Sequence, residues 1–193
     1  MNFLAHMFLS CSNEDLLIGN FVADFIRNRD LLLYSDEIVQ GVHLHRKIDH
    51  FTDTHPRVLQ STRVLRKQHG KYAPVVIDVC YDYILSQNWD KYSGESLRTF
   101  SDRVYEVLTK QHDVLPDHLQ DLAPRMIADD FLLKYGTEAG LRKTFERIGK
   151  RAKFESNWST AFDDMLTHYE ELEEGFNEFF PDMIAIVDDY CDC

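Results

Sequence analysis

Residues 73 to 88, APVVIDVCYDYILSQN, constrain the fold more than any other stretch, because as a helix they are apolar on almost every side. A helix of that kind is stable in water only when other elements cover all of its faces. Its neighbours carry the matching signal, since apolar residues recur at helical spacing nearly throughout the chain. Candidate helices run over residues 14–28, from Ser35 to about Thr52, from Pro56 to a stop at Gly70, and over 96–112, 117–135, 138–152, 156–174 and 176–190. Ser35 is placed to cap its helix, with Asp36 and Glu37 in the first turn where the helix dipole favours acids. Only 8 Gly and 5 Pro punctuate 193 residues, which suits long helices joined by short turns. The expectation is an all-α fold, one helical domain over residues 1–193.

Charge narrows the function. The formal net charge is −12, with 12 acids and no Lys or Arg from Phe154 onward, which leaves residues 1–153 with 21 acids against 21 bases. Such a chain is a poor non-specific binder of nucleic acid, which needs bases to neutralise phosphates. No uncharged run approaches a membrane span, and the opening MNFLAHMFLSCSNED lacks the basic start of a signal peptide. Cys11, Cys80, Cys191 and Cys193 show no metal or framework spacing, so free thiols in a cytoplasmic protein are expected. No pattern specifies an oligomer.

The chemistry sits among stranded acids. Asp78 and Asp82 are the only charged residues between Pro74 and Leu85, one turn apart on the helix expected to be most buried. Two unpaired buried carboxylates cost several kcal/mol and repel each other. A cation between them, or an arginine such as Arg46, would relieve both costs. Residues 41 to 53, GVHLHRKIDHFTD, set His45, Asp49 and Asp53 down one helix face, about a turn apart. His and Asp at i and i+4 can reach one cation from the same side; a solvated His–Asp pair is the plainer alternative. Asp24 is a lone acid in GNFVADF, and His6 lies in the apolar FLAHMF. Gly19 either lets another backbone approach or marks a kink. The candidate metal ligands are His6, Asp24, His45, Asp49 and Asp82; the candidate catalytic side chains are Arg46, Asp53 and Asp78. Imidazole with several carboxylates suits Mn²⁺, Mg²⁺ or Fe²⁺ better than a closed zinc site.

These segments resemble the acyl carrier protein phosphodiesterase family. The resemblance runs through MNFLAH, GNFVADF at 19–25, GVHLHRKIDHFTDTHP at 41–56 and DVCYDYILSQNW at 78–89, and includes the acidic, aromatic HYEELEEGFNEFFPDM of the C-terminal half. The third segment is the most specific. The resemblance implies an HD-domain-like helix bundle and a Mn²⁺-dependent hydrolase, with Mg²⁺ or Fe²⁺ as substitutes. The implied reaction removes 4′-phosphopantetheine from the serine of holo-acyl carrier protein. It also implies a departure from ordinary HD enzymes: their adjacent His-Asp pair is replaced by His45 and Asp49 or Asp53. A nucleotide or another small phosphodiester as substrate, and a non-catalytic helical module whose acids pair with Arg, are the rival readings.

Acyl carrier proteins are small and acidic, so their enzyme should offer basic surface. Arg57, Arg63, Arg66, Lys67 and Lys71 adjoin the proposed chemistry and are preferred. Arg142, Lys143, Arg147, Lys150, Arg151 and Lys153 form a denser run.

Overall fold

The computed structural model describes residues 1–154 and 156–191, and regular structure among them is entirely helical. The α-helices are α1 (Phe3–Phe8), α2 (Glu14–Val22), α3 (Asp36–Thr54), α4 (Pro56–His69), α5 (Ala73–Gln87), α6 (Leu97–Lys110), α7 (Asp117–Ala128), α8 (Phe131–Lys134), α9 (Glu138–Arg151), α10 (Ala161–Thr167) and α11 (Tyr169–Cys191). Short 3-10 turns link several of them. The all-α expectation holds.

The apolar helix is the centre. Along α5 only Gln87 is exposed, because α1, α4, α9 and α11 pack around it. Phe176, Phe179 and Phe180 of α11 are fully buried, with Phe176 and Phe179 against Tyr81 of α5. Each such side chain contributes roughly 1.5–3 kcal/mol relative to exposure.

Three boundaries differ from expectation, each for a tertiary reason. The helix expected over 14–28 stops at Val22, gives one 3-10 turn at Ala23–Phe25, and runs out into extended backbone at Ile26. The helix expected over 117–135 is cut at Asp130, whose φ is +52°. That conformation lets the Asp130 carboxylate bind Arg98 and accept from the Tyr105 hydroxyl, which in turn accepts the Leu132 N–H. In the C-terminal half the break falls at His168 rather than near Gly175. Gly175 is interior to α11 because a Cβ there would lie 2.6 Å from Ser61 Oγ, so the glycine permits α11 to seat on α4.

The free-thiol expectation also needs correction. Cys11 is disulfide-bonded, whereas Cys80 is a buried thiol whose pKa is pushed up by burial and then by Asp78. Cys193 lies outside the described residues. Linear spacing could not have revealed the bond, because pairing depends on which thiols the fold brings within reach.

The crossing of α2 and α3 positions the chemistry. A Cβ on Gly19 would sit 2.0 Å from the Ile38 carbonyl oxygen and 2.7 Å from Gly41 Cα. One on Gly41 would sit 2.4 Å from the Leu16 carbonyl oxygen. Gly19 therefore serves close approach rather than a kink, and Gly41 is its partner. Gly19→Ala must push two backbones apart, since no flexible side chain can yield. We expect a loss of about 1–3 kcal/mol, seen as a melting temperature several degrees lower in a thermal scan. An unchanged melt would mean the contact is not tight.

Candidate metal centre

The crossing sets Asn20 of α2 directly against His45 of α3. The His45 Nδ1 lies 2.9 Å from the Asn20 carbonyl oxygen and 3.0 Å from Asn20 Oδ1. From α1, His6 brings its own Nδ1 to 2.8 Å from the same Oδ1. The two imidazoles stack, with centroids 4.1 Å apart and planes 17° from parallel. His6, His45 and Asn20 are all buried.

The orientation of the Asn20 amide is fixed by its other end. Its Nδ2 donates to the His6 carbonyl oxygen at 2.8 Å and to Ser10 Oγ at 3.1 Å. The oxygen must then be the atom facing the histidines. An amide oxygen only accepts, so both imidazoles carry hydrogen on Nδ1. Their Nε2 atoms point the other way, toward carboxylates. His6 Nε2 lies 3.2 Å from one oxygen of Asp49, and His45 Nε2 lies 3.1 Å from the other. Asp24 Oδ1 is 3.2 Å from His45 Nε2.

Two lone-pair nitrogens facing carboxylate oxygens repel unless something positive lies between them. At His45 a proton takes that place. Burial works against charge on His45, but hydrogen bonds to Asp24 and Asp49 outweigh it and hold its pKa up to about 9. Burial dominates at His6, whose pKa is lowered. Asp49 is pushed up by burial, yet the two histidines outweigh this and hold it well below the usual carboxylate range. Hydrogen bonding to His45 likewise lowers Asp24. One imidazolium between two carboxylates thus occupies the place a divalent cation would take. The ligand atoms of His6, His45 and Asp49 all lie within 4.8 Å of one another. Nδ1–H groups anchored by an outer partner, with Nε2 offered inward, form the arrangement that orients metal-binding histidines. The donor set fits a divalent cation.

A pH dependence follows. Because His45 is raised from its ordinary 6.5, its proton stabilises the fold fully below about pH 6.5, and that contribution is lost as pH rises through about 9. Asp49 works in the opposite window, losing its contribution only in acid. Chelator-treated protein should melt lower at pH 9.5 than at pH 7.5, and the difference should shrink in His45→Asn. An equal pH dependence in that variant would place its origin elsewhere.

The remaining candidates separate. Asp24 is not buried, as its apolar sequence context suggested, but sits in the 3-10 turn with its side chain 69% exposed. Asp78 and Asp82 do not join the three-residue cluster. Asp82 is wholly buried and accepts N–H bonds from Asn2, Leu4 and Ala5 at 3.2, 2.8 and 3.3 Å. It thereby holds the first turn of α1, where unpaired donors and the helix dipole favour an anion. Burial pushes its pKa up to about 7, against the pull of the Met1 amino group and these N–H groups. Asp78 binds the Met1 ammonium at 2.9 Å. The two acids are met by backbone donors and an ammonium rather than by an arginine. Arg46 does not pair with Asp78; it is exposed and donates to Asn28 Oδ1 at 2.7 Å. Asp53 is exposed, one turn beyond Asp49 and outside the cluster. Asn20 was missed, because an amide in an apolar helix has no sequence signal that distinguishes it from a capped or buried polar residue.

No described helix is long and apolar enough to cross a membrane. A family model described as acyl carrier protein phosphodiesterase matches residues 1–183. A Photorhabdus laumondii protein named acyl carrier protein phosphodiesterase is 31% identical over 185 residues, covering 95% of this chain and 93% of its own length. A Yersinia enterocolitica protein of the same name is 31% identical over 190 residues, 98% of each chain, and one from Pectobacterium atrosepticum is 29% identical over 187, covering 96% and 97%. No solved structure matches. With a hydrolase family spanning the chain from end to end and the His–Asp cluster lying within the matched region, the chain belongs to the acyl carrier protein phosphodiesterase family.

Proposed function

We propose that the protein is a divalent-metal phosphodiesterase that removes 4′-phosphopantetheine from the serine of holo-acyl carrier protein. The observation that carries the metal-dependent part is the convergence of two Nδ1-anchored histidines on one carboxylate. The names of the relatives support the substrate.

His6, His45 and Asp49 would hold the cation, with Asp24 as a further oxygen at the exposed side. Two imidazole nitrogens with carboxylate oxygens suit Mn²⁺, with Mg²⁺ or Fe²⁺ as substitutes. A cation bound there supplies Lewis acidity toward a phosphoryl oxygen and lowers the pKa of water. The split pair of His45 and Asp49, one turn apart on one helix, is consistent with a divergent HD-type enzyme.

The protein's own residues do the rest. Asn20 fixes both histidine tautomers, so no reorientation is needed when a cation enters. Asp82 and Asp78 act one step back, holding the start of α1 so that His6 reaches the centre. Arg46 neighbours His45 in sequence, and its guanidinium can exchange Asn28 for a phosphoryl oxygen with a charge-assisted hydrogen bond. Asp53 has no part in holding the ion.

The test strips metal from purified protein, adds Mn²⁺ and holo-acyl carrier protein, and follows the carrier by intact mass. Loss of the phosphopantetheine mass only with metal is the expected result. Mn²⁺-dependent hydrolysis of nucleotide diesters with an unchanged carrier would favour the small-substrate reading. No Mn²⁺-dependent activity of any kind would favour a binding module.

A further inference from the structure

A cavity of about 760 Å³ opens between α7 and α9, against the start of α1. Its floor is apolar, built from Phe3, Phe25, Met126 and Phe131. Its rim is basic. Arg125, Lys134, Lys143, Arg147, Lys150 and Arg151 line it, against a single acid among the described residues, Asp129. Asp129 engages Lys134, Lys143 and Arg147, Lys150 pairs with Glu146 outside the cavity, and Arg125 and Arg151 form no ion pair among the described residues. This excess of positive charge sits on a protein whose formal net charge is −12. Most of the rim side chains are exposed, so the charge faces solvent.

His6, Asp24, His45 and Asp49 do not line the cavity, but the segments that carry His6 and Asp24 reach its wall. Phe25 follows Asp24, and Asn2 and Phe3 lead into the helix that carries His6. In the other basic stretch Arg57 is tied to Glu178 on acidic α11 and Lys71 lies over the Phe154 ring, while Arg63, Arg66 and Lys67 are exposed on α4 and do not line this cavity.

We infer that this cavity is the docking surface for the substrate protein, taking an acidic helical face whose carboxylates meet the rim while an apolar side chain enters the floor. The inference rests on the carrier-protein reading above. Charge complementarity selects the occupant. Pantetheine beyond its phosphate is uncharged and has no use for six cations, whereas an acidic protein surface does. An exposed apolar side chain, Leu122, at the rim adds to the contact.

The triple variant Arg125→Glu/Lys143→Glu/Arg151→Glu tests this, since all three are exposed and Lys134 and Arg147 remain on Asp129. Arg125→Glu alone serves should the triple variant fold poorly by circular dichroism. Both are assayed with Mn²⁺ on holo-acyl carrier protein and on bis(p-nitrophenyl) phosphate. We expect KM for the carrier to rise at least about tenfold in the triple variant and by a smaller factor in the single one. Turnover of the small diester should be unchanged, and the gap in KM should narrow in high salt. An unchanged KM for the carrier overturns the docking surface while leaving the reaction intact. Equal losses on both substrates also overturn it, because the rim would then serve the phosphate. Wild-type protein that hydrolyses the small diester but ignores the carrier removes the parent reading and the docking surface with it.

Discussion

Asp49→Asn is expected to abolish metal-dependent activity, lowering kcat/KM by about a thousandfold or more, or roughly 4 kcal/mol of transition-state stabilisation. Asp49 is the carboxylate that meets the Nε2 atoms of both imidazoles, one with each oxygen. The substitution keeps size and shape but replaces one carboxylate oxygen with an amide NH₂, which can donate into an Nε2 lone pair. That hydrogen bond satisfies the nitrogen the cation would need. The centre loses its anionic bridge and one imidazole to the same change. Titration calorimetry should show Mn²⁺ affinity falling in parallel with activity. The variant should also shift His45 back toward its ordinary pKa, because one of the two carboxylates that hold it near 9 is gone. That shift is readable by NMR in metal-free protein. Full activity in Asp49→Asn would remove Asp49 from the centre.

The second large effect is expected at Asn20, which touches no substrate. Asn20→Leu removes the acceptor for both Nδ1–H groups and the donor to the His6 carbonyl and Ser10. His45 retains the Asn20 backbone oxygen at 2.9 Å, so its tautomer survives in part. His6 loses its one Nδ1 partner among the described residues, and its ring is free to turn. Outer partners of this kind typically carry 10–100-fold in metal affinity or activity, and the upper half of that range is expected because one amide serves two ligands. Asn20→Asp separates orientation from packing. It restores an acceptor for the histidines but cannot donate to the His6 carbonyl, so it should recover part of the affinity for Mn²⁺. A positioning role predicts the order wild type, then Asp, then Leu in metal affinity, even if all three melt at similar temperatures. Loss of stability with unchanged Mn²⁺ affinity would reduce Asn20 to a structural residue.

The legible part of this site was the part carried on one helix. His45 and Asp49 are four residues apart on α3, and the angle between consecutive residues is enough to place them on one face. Burial of α5 was legible for the same reason, because sixteen consecutive residues with two charges leave no face to expose to water. The need of Asp78 and Asp82 for positive partners followed from that burial. The identity of those partners did not. Asp82 is met by the N–H groups of a helix that begins 77 to 80 residues earlier, and Asp78 by the Met1 ammonium. Asp24 shows the reverse error: apolar neighbours in sequence suggested burial, yet one 3-10 turn at the end of α2 carries its side chain into solvent beside His45.

Periodicity along the chain therefore determined the helices, the central position of α5 and the single-helix pair of His45 and Asp49. The crossing of α2 over α3 at two glycines decided the rest, because it brings Asn20 to His45 and leaves room for α1 to add His6. Helical register depends on a few consecutive residues and can be read from them. Which side chains from different helices meet depends on how closely backbones approach, and that is fixed only when the whole core is packed.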